Sequence, residues 1–146
     1  MTPAEPTRAA GLARLAAFTP RMGRLYAAER NFDRGPADRA HVSGLSPWIR
    51  HRLVGEWEAV RAAIEAHGAA ASEKFVQEVF WRTYWKGWLE QRPGVWRDYL
   101  AGLEAQRQRL ATSSGLRDAH GRACRGETGL ACFDTWAQEL TTTGTL

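Results

Sequence analysis

Cysteine is scarce in this sequence. Two thiols in 146 residues, Cys124 and Cys132, are too few for a disulfide scaffold, and no Cys-x-x-Cys pair exists. His41, His51, His67 and His120 form no pair at ligand spacing, so a metal site lacks its usual donors. No Gly-x-Ser-x-Gly elbow and no Walker or Rossmann glycine pattern occurs, which removes support for conventional hydrolase or nucleotide-loop chemistry. No run of about 18 uncharged apolar residues is present, so no membrane span is expected. The first residues lack a basic start followed by a long apolar core. No signal peptide is therefore expected, and a cytoplasmic location follows as the default. No internal repeat occurs, and no period-two alternation extends convincingly over four residues, which disfavours strands.

Against these absences stand two excesses, tryptophan and arginine. Seven tryptophans are many for this length, and eighteen of the twenty cations are Arg. Residues 1–52 hold nine Arg against four acids, while the remainder holds eleven cations against twelve acids. The whole net charge of +4 thus lies in the first third. Such a region suits a polyanion such as nucleic acid or a phosphate-bearing cofactor, and a coding bias toward Arg produces the same excess. At 44% hydrophobic and 25% charged the composition is that of a globular protein, and the length fits one domain.

The periodicity is helical throughout, and the expected class is all-α. Residues 7–17 read as a short helix interrupted by Thr19-Pro20, and a second short segment over about 21–29 carries Tyr26. Asn31 to Pro36 reads as a loop. Ser46 is expected to cap a helix with Pro47 at its first position, running to about Leu53. The next helix is expected from about Gly55 to Ala66. Ser72 to Glu90, with Ser72 as cap, is apolar over most of its circumference, as in a helix surrounded by protein. Trp85 and Trp88 are accordingly expected in a core. A helix over about 94–111 follows, residues 113–129 read as loop-rich, and a last helix is expected from Phe133 to about Thr143 with Gly144 as its stop.

Three features could carry chemistry. The segment Ser43-Gly44-Leu45-Ser46 offers two hydroxyls and free backbone N–H groups at a helix start, which suits a phosphate, although a cap by Ser46 is the more common reason for such a helix start. Lys74, Glu78, Arg82, Lys86 and Glu90 recur every four residues. That stripe is either a solvated charge ladder, with Glu78 and Arg82 paired along the helix, or the wall of a polar cavity with Trp81 as a stacking surface. Trp81, Trp85 and Trp88 form an aromatic cluster for which core packing and a redox role are both open.

In order and rough spacing, four motifs resemble the flavin-binding helical domain of DNA photolyases and cryptochromes. They are Tyr26-x-x-x-Arg30-Asn31, Ser43-x-Leu45-Ser46-Pro47-Trp48-Ile49, Glu78-x-x-Trp81-Arg82, and Gly126-x-Thr128-Gly129 followed by Phe133-Asp134 and Leu140. The resemblance covers about residues 20–146 and corresponds to the N-terminal half of that domain. It implies FAD as cofactor, damaged DNA as partner, and deoxyribodipyrimidine photo-lyase activity, in which excited reduced flavin gives an electron to a pyrimidine dimer flipped from the duplex. By position it implies flavin contacts from Tyr26, Ser43, Gly44, Leu45, Ser46 and Arg82. It implies a DNA phosphate contact from Arg30, hydrogen bonds to the lesion from Glu78, and packing on the lesion by Trp81.

The departures shape the expectation as well. The family's antenna domain has no counterpart, and after Thr143-Gly144-Thr145-Leu146 the family continues with His-Asn-x-x-Arg and further helices. Val42 and Gly44 replace common larger or hydroxyl residues of the phosphate loop, and no Trp occurs between Trp96 and Trp136. The expectation is a truncated photolyase-like domain with weak FAD affinity and impaired repair. The apolar faces left open are expected to bind a companion chain or to self-associate. The alternatives are a flavin-free nucleic-acid-binding helical module and a non-functional remnant or dimerising scaffold.

Overall fold

The computed structural model describes residues 5–35 and 37–144, so Pro36, Thr145 and Leu146 of the motifs above lie outside the described residues. Among the described residues every regular element is helical. The elements are α1 (Arg8–Phe18), a 3-10 turn (Thr19–Arg21), α2 (Arg24–Glu29), α3 (Ser46–Arg50), α4 (Glu56–His67), α5 (Ala69–Glu90), α6 (Pro93–Thr112), α7 (Ser114–Arg125) and α8 (Ala131–Thr143). None is long and apolar enough to cross a membrane. The chain divides into two compact units, residues 1–87 and 88–146.

The first unit holds the core. Leu15 and Phe18 of α1 meet Met22, Leu45, Trp48, Val54, Ala59 and Ala63, and Phe75 of α5 completes the cluster. These positions follow from sequence spacing, since Gly11, Leu15 and Phe18 share the inner face of α1. Gly11 is small for a reason: a Cβ there would sit 2.7 Å from Val54 Cγ2 and 2.8 Å from the Trp48 ring. Thr7 caps α1 by accepting from the Ala10 N–H. Arg8 forks onto the Glu58 carboxylate and the Leu53 carbonyl, tying α1 to the start of α4.

Several boundaries depart from expectation for local reasons. Leu45, not Ser46, occupies the cap position of α3, because the Leu45 side chain is drawn into the core while its carbonyl accepts from Ile49. The helix stops at Arg50, short of Leu53, since the Trp48 carbonyl takes the N–H groups of both Leu53 and Val54 and reverses the chain. Ser72 does not cap α5, which begins at Ala69. The Ser72 hydroxyl is buried and donates to the Gly68 carbonyl. Nor is α5 enclosed within this chain. Its buried residues are Ser72 and Phe75, and Trp81, Tyr84 and Trp85 are about half exposed. Trp85 is thus not a core residue here; the apolar circumference of α5 exceeds what the described chain covers.

The second unit contains a helix where a loop was expected. Residues 114–125 form α7, started by Ser113, whose hydroxyl accepts from the Leu116 N–H, and ended by Gly126 in the left-handed region at φ 64°. The following turn is held by Asp134. Its carboxylate accepts from the Thr128 hydroxyl and from the N–H groups of Thr128 and Gly129, and these bonds hold its pKa below the ordinary range. The last helix begins at Ala131, before the expected Phe133, with Leu130 at its cap position.

Candidate functional site

Residues that the motifs single out come together where α2 meets α5. Arg30 follows the last turn of α2 and forms an ion pair with Glu78 of α5, 48 positions away. Tyr26 lies one turn before Arg30. Its ring packs edge-on against Phe75 with centroids 5.3 Å apart, and against Phe18 at 6.1 Å. Burial raises the Tyr26 phenol above its ordinary pKa and the Glu78 carboxylate adds to the rise, while Arg30 opposes it. The three residues therefore form one polar cluster on an aromatic floor. The floor belongs to the core, so the polar groups are held by packing and not by a flexible loop.

Continuing along α5, Trp81 and Arg82 lie one turn beyond Glu78. Trp81 stacks on Trp85 at 5.9 Å and meets Tyr84 edge-on at 5.3 Å, and its ring remains 44% exposed. An exposed, flat indole braced by two further aromatics can stack on a planar ligand without moving. Glu78 and Arg82 do not pair with each other along the helix. Glu78 engages Arg30, and Arg82 donates to the Arg50 carbonyl at 3.4 Å, near the end of α3. Thr83 donates to Glu56 of α4 at 2.9 Å. These contacts, together with buried Phe75, register this stretch of α5 on the first unit.

The serine segment forms a tight turn with a cation at its back. The Ser43 hydroxyl accepts from the Leu45 N–H, and Gly44 adopts φ 62°. Arg14 of α1 donates to the carbonyls of Ser43 at 2.6 Å and Val42 at 3.1 Å. A Cβ on Gly44 would stand 3.6 Å from the same guanidinium. Leu45 is buried in the core and offers an anchor, whereas Ser46 and Gly44 are exposed. Beside the turn His41 is 7% exposed, and its Nδ1 is buried without a hydrogen-bond partner. A helix of five residues contributes little dipole, so the turn's attraction for an anion rests on its N–H groups, its hydroxyls and the Arg14 charge.

The turn and the Glu78 row thus each have defined partners, Arg14 for one and Arg30, Arg50 and the aromatic ladder for the other. A groove of about 360 Å³ runs along α4 between Trp57, Glu58, Val60, Arg61, Ile64 and Glu65, and it shares no residue with either group. Arg14 and His41 are the residues that sequence reasoning passed over. Arg14 carries no motif of its own, but it follows Gly11 by three positions on α1. His41 lies just before the serine turn, and it reads as an isolated imidazole until its burial is known.

Comparison with known proteins bears on this arrangement. Over 100 residues, 64% of the chain, the sequence is 35% identical to a deoxyribodipyrimidine photo-lyase of Synechococcus sp.. A partial photolyase relationship is supported. The chain spans only about a fifth of that relative, whose matched portion is 20% of its length. No family model matches the chain, and no solved structure matches it.

Proposed function

We propose that this chain is a photolyase-like module that contributes part of a flavin site and part of a damaged-DNA surface. The observation that carries the reading is the meeting of Tyr26, Arg30 and Glu78. Three residues from two motifs, expected to serve flavin, DNA phosphate and lesion, share one cluster, although 48 positions separate Arg30 from Glu78. The partial similarity to a photo-lyase supports the same assignment.

The residues at the serine turn fit the diphosphate of FAD. Ser43 and Ser46 would donate hydroxyls, Arg14 would supply the cation, and the partnerless His41 nitrogen offers a further polar contact. Bound there, a reduced flavin would supply the photoexcited electron. The protein's own task is recognition. Arg30 would hold a DNA phosphate, Glu78 would hydrogen-bond the extruded bases, and Trp81 would support their planes. The Arg30–Glu78 pair must part for both to act, and at this partly exposed site parting costs little, about 1 kcal/mol or less.

The full chain, run on a gel-filtration column equilibrated with FAD, is expected to carry bound flavin with it at weak affinity. It is also expected to prefer a single strand carrying a pyrimidine dimer over the undamaged strand. Glu78→Ala should remove that preference while leaving thermal stability within about 1 kcal/mol of wild type. Absence of bound flavin on the column together with equal affinity for the two strands would overturn the proposal.

A further inference from the structure

The second unit presents a physical problem that the flavin reading does not address. Among its described residues no apolar side chain is buried. Ordering each residue of a chain costs backbone entropy, and burial of apolar surface is the main term that offsets it. Here that surface is displayed instead. Trp96, Tyr99 and Leu100 share one face of α6 at 62%, 58% and 44% exposure. Phe133, Trp136 and Leu140 share one face of α8 at 41–46%. The α6 stripe is also preformed, since Trp96 and Tyr99 lie stacked with centroids 5.3 Å apart and 18° between planes.

We infer that these stripes are the interface of a homodimer, covered by a second copy of this chain through a two-fold axis. Two observations select that occupant. The first is charge. Residues 88–146 carry seven Arg and seven acidic residues, while residues 1–87 carry the whole excess of +4. A neutral unit with both signs interspersed has no attraction for a polyanion, and it can face its own copy without net repulsion. The second is area. The six side chains display on the order of 600 Å² between them, and a standard dimer buries about 800 Å² per partner with its polar rim included. Enrichment in Trp, Tyr and Phe is the composition of an interface centre. A two-fold arrangement uses each stripe twice, so one sequence supplies both sides.

Sedimentation velocity and light scattering on the full chain, from about 1 to 100 µM, test this. The wild type should reach a closed two-chain species. Tyr99→Asp and Leu140→Asp should each weaken it at least 30-fold, as expected for a charge buried at an interface centre, whereas Trp57→Asp, on the exposed face of α4, should leave it unchanged. Should a variant lose its helical circular dichroism, amide exchange on the wild type decides instead: α6 and α8 should gain protection as concentration rises. A monomer at 100 µM, a dimer indifferent to both charges, open-ended aggregates, or protection of α6 and α8 independent of concentration would each overturn the inference.

Discussion

At Gly11, helix propensity and packing point in opposite directions. Alanine is the better helix former by about 1 kcal/mol, yet its Cβ would lie 2.7–2.8 Å from Val54 and Trp48, both buried. Trp48 cannot swing away easily, because its indole N–H donates to the Glu5 carbonyl at 2.8 Å. Gly11→Ala should therefore destabilise the protein by about 1–3 kcal/mol, read as a shift of the denaturant midpoint. Nothing in the sequence marks this glycine as different from Gly87 or Gly102, which have open space around them. The residues whose roles depend on distant partners share that opacity. Glu78 and Arg82 have the spacing of a helical ion pair, but each finds a tertiary partner in another element, and tertiary geometry overrides the local preference.

Helix beginnings were legible only in part, whether a side chain, the backbone or the core decides them. The first helix was expected over residues 7–17, and Thr7 proves to be its cap, so that α1 begins at Arg8. Leu45 precedes α3 because its side chain is needed in the core, which no capping preference anticipates. Residues 114–125 read as a loop because Ser, Gly, Asp and Arg dominate them, yet Ser113 caps them into α7 and Gly126 ends them, both ordinary boundary residues with the twelve residues of the helix between them. At the start of α4 the Glu58 carboxylate accepts from the Gly55 N–H at 2.7 Å and from Arg8. The Arg8 and Gly55 bonds lower its pKa from 4.5 to about 2. A depressed folded-state value means stability that is fully present above the unfolded pKa and is lost as the carboxylate takes up a proton. The contribution of Glu58 should then fade between about pH 4.5 and pH 2. Glu58→Gln should lower Tm by a few degrees at pH 7 and should not differ from wild type below pH 2, as measured by thermal melts across that range.

Across the whole chain, hydrophobic spacing revealed the all-helical class, because buried faces repeat every three or four residues. It could not reveal how much of α5 would be covered. An apolar circumference states what a helix can bury, not whether the partners are present, and Trp85 is half exposed for that reason. Phe75 carries the first unit's α1–α2–α5 junction through its contacts with Phe18 and Tyr26. Phe75→Ala should cost about 3–5 kcal/mol, measured by urea unfolding, and should loosen the Tyr26–Arg30–Glu78 cluster with it. The candidate site was legible as residue types in order along the chain; its assembly was not, since Arg14 and His41 enter only through folding.

The Arg8–Glu58 fork joins points fifty residues apart, whereas α6, α7 and α8 follow one another through short successive turns. On a ribosome the two units consequently mature by different clocks. The early segment emerges first yet cannot lock until Glu58, and then Phe75, have left the tunnel, while the later hairpins can close almost as fast as they are synthesised.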